Sequence, residues 1–442
     1  MDELYSRMLR QSGWQLGPIR QTLLVIAARG PAAEQISLAA SAIGFEHQLV
    51  LAQDVAAGLQ LADATMRHNP QAYVDVELGS LHRGMVEMPT IFLMDLGDPA
   101  TRDISIRARH YIIGFAEKAD RIDFGTDLIN VGSGCAGRPL QACAELAVLV
   151  GELLSGICSV LNAYSAGENE PGFAPPPRCA RVPLALPPSP GADLKSRRIY
   201  LGGFGGAIAH QILNAMAVDP VLQAILSHPD SLIVGADDDV VEESNRSRQL
   251  GYLPDDVGRP KAEATRDWLA RGPLARARVV HLNEPIALRH AAEYGPFDVV
   301  LSSVDSWDAR RTLVELARQG KVPAFLSSGS SFFGGFERIV TRESACMSLH
   351  GVEQLAHRPR GTRRSCADAP EPSSVIPQAI VGGLAAAQLR DAWLGRRVDP
   401  RGAEVHLLHT SSEPGFTGLR HSPGRLINAT CPCVAIGEGN AA

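Results

Sequence analysis

Short apolar runs recur along this chain between glycine turns and charged blocks, an α/β pattern. Arg198-Ile199-Tyr200 predicts a strand, Leu201 to Ile208 a glycine-rich turn, and Ile208 to Met216 a helix. Leu232-Ile233-Val234 predicts a second strand and Phe297 to Val304 a third, which ends in Asp305. Continuous apolar runs of this kind suit parallel strands buried on both faces. The first half repeats the plan. Thr22 to Ala28 predicts a strand, and Ile36, Ala39, Ala40 and Ile43 share one face of a helix. Gln48 to Leu51 predicts a strand ending near Asp54. Further on, Gly134 to Pro139 leads into an Ala/Leu helix ending at Gly156, which parallels Ser373 to Gly395. Any α/β chain repeats such units, so the echo by itself leaves open whether the halves are related.

The polar positions carry the chemistry. After Leu232-Ile233-Val234 come Asp237, Asp239, Ser244, Asn245, Arg248, Gln249 and Lys261. A buried parallel strand that ends in a carboxylate is where a doubly wound sheet grips a ribose. The amide, guanidinium and ammonium close behind suit a nucleoside triphosphate. Any one of these residues alone fits a solvated charged loop equally well. The turn Gly202-Gly203-Phe204-Gly205-Gly206 opens a helix, so its backbone can approach a phosphate at a positive dipole end. With Asp305 and Arg310, three strand ends would then meet at one crevice.

Length and composition narrow the class. A chain of 442 residues with 45% apolar residues can bury more than one core. A net charge of −6 points away from nucleic acid. Residues 1–15 lack the apolar core of a signal peptide. Ala142 to Ala163 contains Glu145 and Glu152, so it reads as a buried helix and not a membrane span. Eight cysteines without a signal suggest reduced thiols and a cytoplasmic protein. Residues 166–196 are proline-rich and read as an extended linker. The expected domains are residues 1–165, that linker, residues 197–400, and a tail over 401–442.

These motifs resemble the ubiquitin-activating and ThiF-type adenylyltransferase superfamily, over about residues 197 to 400. Its G-x-G-G-x-G matches Gly203, Gly205 and Gly206, with Ile208 in place of the last glycine. Its D-x-D-x-V-x-x-S-N-L-x-R-Q matches Asp237, Asp239, Val241, Ser244, Asn245, Arg248 and Gln249, with Arg246 replacing the leucine. Its V-G-x-x-K-A matches Val257, Gly258, Lys261 and Ala262. Leu4-Tyr5-Ser6-Arg7 resembles the start of the inactive half in ubiquitin-type enzymes, where an inactive and an active adenylation half join. The resemblance therefore implies two Rossmann-like doubly wound halves in an internal pseudodimer, with Arg7 reaching across to the ATP phosphates.

The chemistry so implied is adenylation of a C-terminal carboxylate by ATP. Asp305 would hold Mg²⁺, Asp237 the ribose and the glycine-turn N–H groups the α-phosphate. Arg7, Arg248 and Lys261 would neutralise the phosphates, with Asn245 and Gln249 as polar partners. Cys366 follows Arg363 and Arg364, which would favour its thiolate. In relatives the acyl-accepting cysteine sits in this crossover segment, and the alternative is a surface cysteine without a role. Cys346, His350, Cys431 and Cys433 could form a closed tetrahedral zinc site, as relatives do with paired cysteines. The favoured reading is an activating enzyme for a ubiquitin-like protein ending in glycine, which passes a thioester to a conjugating-enzyme-like partner. The alternative is an adenylyltransferase for a sulfur-carrier protein or peptide natural product, without thioester transfer. A non-catalytic scaffold and a nicotinamide oxidoreductase fit the polar set less well.

Overall fold

The structure is a computed structural model. It describes residues 4–5, 16–27, 30–52, 54–78, 90–95, 110–118, 121–125, 144–148, 150, 151, 154, 181–183, 194–331, 334–341, 374–396, 403–410 and 413–420. In the first half, the strands are β1 (Leu23–Ala27), β2 (His47–Ala52), β3 (Tyr73–Leu78), β4 (Thr90–Asp95), β5 (His110–Lys118), β6 (Arg121–Gly125) and β7 (Arg181–Pro183). Its helices are α1 (Leu16–Arg20), α2 (Gly30–Ala42) and α3 (Val55–His68). The second half has β8 (Arg198–Gly202), β9 (Leu232–Ala236), β10 (Val279–Leu282), β11 (Val299–Ser302), β12 (Ala324–Ser331), β13 (Gly334–Thr341), β14 (Ala403–Thr410) and β15 (Glu413–Arg420). Its helices are α4 (Ala207–Val218), α5 (Pro220–Leu226), α6 (Lys261–Arg271), α7 (Arg289–Tyr294), α8 (Trp307–Gln319) and α9 (Val375–Trp393).

The sheets share one plan. The first runs β3-β2-β1-β4-β5-β6-β7 and the second β10-β9-β8-β11-β12-β13-β14-β15. In each, the first five strands across the sheet are parallel and the rest antiparallel. The central strands are mainly apolar because both faces are covered: all five residues of β9 and all four of β11 are buried. Strand order reverses between β8 and β11, which defines the switch-point crevice of a doubly wound sheet. There Leu201 lies beside both Gly235 and Leu301 in register.

The halves meet through helices, and a single buried cluster takes in Ile36, Ala40 and Val148 together with Ile212, Ile380 and Leu389. Glycines let the backbones close up. A Cβ on Gly383 would lie 2.9 Å from the Val148 nitrogen, and one on Gly151 would lie 2.9 Å from the Ile376 carbonyl oxygen. Thus the two segments that echo each other in sequence pack against each other. Arg390 on α9 is 2% exposed; it donates to both Glu145 oxygens at 2.9 and 2.7 Å and to Asp219 at 2.8 Å. Gln35 on α2 and Asn214 on α4 exchange reciprocal amide hydrogen bonds of 2.9 and 2.7 Å. These contacts are compatible with the internal pseudodimer that the resemblance implies. Among the described residues, no helix is long and apolar enough to cross a membrane.

Candidate functional site

The site is built where β8, β9 and β11 end. Gly203 takes φ +73°, a conformation that costs a residue with a Cβ about 1–2 kcal/mol. A Cβ there would also stand 2.7 Å from the Ser303 carbonyl oxygen, so the turn lies against the end of β11. Gly203 and Phe204 donate their N–H groups to the Ala236 carbonyl at 3.0 and 3.1 Å, which ties the same turn to the end of β9. Gly205 is needed for a different reason. A Cβ on it would stand 2.3 Å from the Lys261 Cβ and 2.5 Å from the Tyr252 hydroxyl.

Asp237 lies beneath this turn, nearly buried, and accepts Gly205 N–H at 2.9 Å and Asp239 N–H at 3.1 Å. Burial pushes its carboxyl up to about 6, against the pull of the Lys261 charge. Asp239 points outward and receives the Lys261 ammonium at 2.8 Å, while Lys261 N–H donates to the Asp239 carbonyl at 2.9 Å. Lys261 is the first residue of α6, and its side chain is only 12% exposed. Carboxylate oxygens of Asp237, Asp238 and Asp239 lie within 4.8 Å of one another, and Lys261 pairs with Asp239 while its charge acts on Asp237.

The backbone donors differ from the expectation for the turn. Gly203, Phe204 and Gly205 are bonded as above, and Gly206 N–H donates to the Gly203 carbonyl at 2.8 Å. All four amides are therefore held inside the protein. The N–H groups with no intrahelical acceptor are those of Ala207, Ile208 and Ala209 in the first turn of α4. Gly206 supplies that helix no side-chain cap.

The other expected residues fall in two groups. Asn245 accepts Glu242 N–H at 3.0 Å and staples its own loop. Arg248 is buried and donates to the Ser244 carbonyl at 2.5 Å, while its own carbonyl accepts Gln211 at 3.2 Å. Gln249 is buried, and its Oε1 has no hydrogen-bond partner among the described residues. Asp305 is exposed just beyond β11, with its charge felt at Arg310. Its oxygen donor suits a hard cation such as Mg²⁺. Arg7, Cys366, Cys346, His350, Cys431 and Cys433 lie outside the described residues. Two positions before Arg7 in the sequence, Tyr5 is buried and donates to the Ser41 carbonyl at 3.2 Å.

Two features escaped the sequence reading. Arg246, in place of a leucine, is buried, pairs with Glu243 and donates to the carbonyl of His68 in the other half. Burial, reinforced by the Arg246 charge, drives the His68 imidazole down to about 3. Secondly, Tyr252 lies behind the turn, in contact with Gly205, Lys261 and Thr265. A tyrosine three residues past Gln249 carries no such signal until the fold brings α6 to the turn.

A parallel sheet with a switch-point crevice, a glycine turn over an acid and a lysine against that turn define a doubly wound nucleotide-binding fold. Residues 193–425, more than half of the chain, match the ThiF family, and the chain belongs to it. The SAMP-activating enzyme E1 of Haloferax volcanii is 34% identical over 144 residues, 31% of this chain and 47% of that protein. The chain thus spans about half the length of the curated relative it matches. Among solved structures, E. coli MccB with ATP aligns with a TM-score of 0.38 and 15% identity over 54% of this chain and 67% of that one. The E. coli tRNA N6-threonylcarbamoyladenosine dehydratase TcdA aligns with a TM-score of 0.33 and 16% identity, over 45% and 86%.

Proposed function

We propose that this protein adenylates the C-terminal carboxylate of a ubiquitin-like protein with ATP. The observation that carries the reading is the junction of Gly205, Asp237 and Lys261 at the switch point. In this reading the carboxylate oxygen attacks the α-phosphorus, the bond to the bridging oxygen breaks and pyrophosphate leaves. The nucleophile is already ionised at neutral pH, so no general base is required. The task is to hold two anions together, which makes preorganised positive charge the main contribution. Asp237 takes the ribose hydroxyls through the acceptor capacity its two N–H bonds leave over. Lys261, Arg248 and Arg7 face the phosphates, with Asn245 and Gln249 as polar partners and Asp239 holding Lys261. The internally bonded turn amides move the backbone contribution to Ala207, Ile208 and Ala209. Mg²⁺ held at Asp305 would neutralise phosphate charge.

Residues 1–165 are then a supporting adenylation-like half, 166–196 a linker that lends β7 to the edge of the first sheet, 197–400 the ATP-binding domain and 401–442 a tail whose β14 and β15 extend the second sheet. The Cys366 thiolate attacks the carbonyl of the acyl adenylate, the acyl–phosphate bond breaks and AMP leaves. The resulting thioester is passed to a conjugating partner's thiol in the cytoplasm, which returns free Cys366. Cys346, His350, Cys431 and Cys433 hold a structural zinc. The test of the adenylation step is ATP–pyrophosphate exchange that requires Mg²⁺ and a ubiquitin-like protein with a free C-terminal glycine. Exchange that survives Asp305→Ala unchanged removes that residue from the site. For the second step, Cys366→Ala should keep exchange and lose a reductant-sensitive adduct with the modifier. A wild type that exchanges but never forms an adduct makes the adenylate the product, as for a sulfur-carrier or peptide adenylyltransferase.

A further inference from the structure

Behind the glycine turn runs a buried chain of polar groups that adenylation chemistry itself does not use. Gly251 N–H donates to His210 Nδ1 at 3.3 Å, so that nitrogen is an acceptor and the proton sits on Nε2. Burial, then the charge of Lys261, drives this imidazole down to about 3, which keeps it neutral. His210 is clamped between Trp268, stacked at 4.9 Å between ring centroids, and Tyr252, edge-on at 4.4 Å. Its Nε2–H is therefore the donor in the 3.0 Å contact with Thr265 Oγ1. The Thr265 hydroxyl then gives its own proton to the Tyr252 oxygen, 3.1 Å away. That leaves the Tyr252 O–H free to donate to the Gly205 carbonyl at 3.1 Å, with the Lys261 carbonyl at 3.4 Å as a second acceptor. One backbone N–H thus sets the direction of every bond in the chain. Tyr252 and Thr265 are fully buried, and His210 is 1% exposed.

The end of the chain matters because of what it touches. Gly205 and Lys261 belong to different elements, the turn after β8 and the start of α6, and Tyr252 bonds to both. Pinning the Gly205 carbonyl also fixes the plane of the Gly205–Gly206 peptide, from which α4 and its free amides begin. We propose that Tyr252, Thr265 and His210 are positioning residues that hold the glycine turn and Lys261 in the spacing needed for a nucleotide phosphate. The inference rests on the ATP reading above.

The test is titration of the full chain with Mg²⁺–ATP in a calorimeter, with thermal unfolding of each variant alongside. Tyr252→Phe keeps the ring and removes the bond, and should weaken ATP binding by roughly three- to tenfold, the worth of one net hydrogen bond. Thr265→Val should have a similar effect and Thr265→Ser should restore wild-type affinity. Because the bonds form one chain, the double variant Tyr252→Phe, Thr265→Val should bind no more weakly than about the worse single variant. If Tyr252→Phe binds ATP as the wild type does, the relay is overturned while the ATP reading stands. Additive losses in the double variant also overturn it, since they mean independent packing defects. A wild type that binds no ATP removes the reading and this inference together. Should Thr265→Val fail to fold, Tyr252→Phe and Thr265→Ser still decide the matter.

Discussion

In the second half β9 runs into Asp237, whose carboxylate is folded under the glycine turn and accepts Gly205 N–H. In the first half β2 runs toward Asp54, whose carboxylate lies at the surface and caps α3 through Ala56 N–H at 2.9 Å. The strand order around the two acids is the same. What differs is the covering. A Cβ on Gly203 would collide with Ser303 and Val304, and one on Gly205 with Lys261 and Tyr252, so these glycines let the turn after β8 settle where Gly205 N–H reaches the acid. The two acids then have opposite energetic consequences. An N-cap aspartate stabilises its helix by about 1 kcal/mol. A buried carboxylate works against the fold once it ionises. The second half therefore holds a desolvated carboxylate, while the first half uses the equivalent acid as a helix cap.

The contrast between the halves can be measured. The largest effect concerns what joins the halves. Arg390→Ala leaves Glu145 and Asp219 buried without their cation, so chemical denaturation should register a loss of about 3–5 kcal/mol. A loss below about 1 kcal/mol means that water reaches the pair and the halves are not held there. Next, Lys261→Ala should lower ATP–pyrophosphate exchange roughly 10²–10³-fold, the scale for one preorganised charge-stabilising donor. Its first-half counterpoint, Asp54→Ala, should leave exchange untouched. If both variants abolish exchange, the first half is more than a support.

The third prediction is a pH dependence. Asp237 is held up to about 6, above its ordinary value of 3.8. Between those values the folded protein keeps a proton that the unfolded chain releases. The stability contributed by this group is therefore fully present at low pH and is lost as pH rises toward about 6. Relative to Asp237→Asn, the wild type should lose about 3 kcal/mol across that window and run parallel above it. Urea midpoints of both proteins at a series of pH values read this directly, and curves parallel throughout would place Asp237 in water. Smaller still, Asp54→Ala should cost about 1 kcal/mol through its lost cap, independent of nucleotide. Smallest, a double-mutant cycle over Gln35→Ala and Asn214→Ala should return a coupling of about 0.5–1 kcal/mol across the two halves. Zero coupling would mean that these amides are equally well solvated apart.

Much of this was legible along the chain. The apolar runs before Asp237 and Asp305, the glycines before α4 and the echo of the plan in the first half depend on local periodicity and on turn chemistry. Those are properties of neighbouring residues, so they survive without coordinates.

The linear order could not show which donor meets which acceptor. Gly205 and Asp237 both look like ligands for a nucleotide, yet they bond to each other. The turn amides are satisfied inside the protein, and the N–H groups left without an intrahelical acceptor beside them are those of the first turn of α4. Tyr252, Thr265 and His210 lie far apart in sequence and carry no motif, because their value comes from one buried path of hydrogen bonds. Arg246 departs from a leucine pattern for a reason that lies in the other half, at the carbonyl of His68. Elements and their chemistry follow from short-range pattern, which the sequence holds by itself. Partner choice among buried polar groups follows from three-dimensional packing and desolvation, and only the tertiary structure decides it.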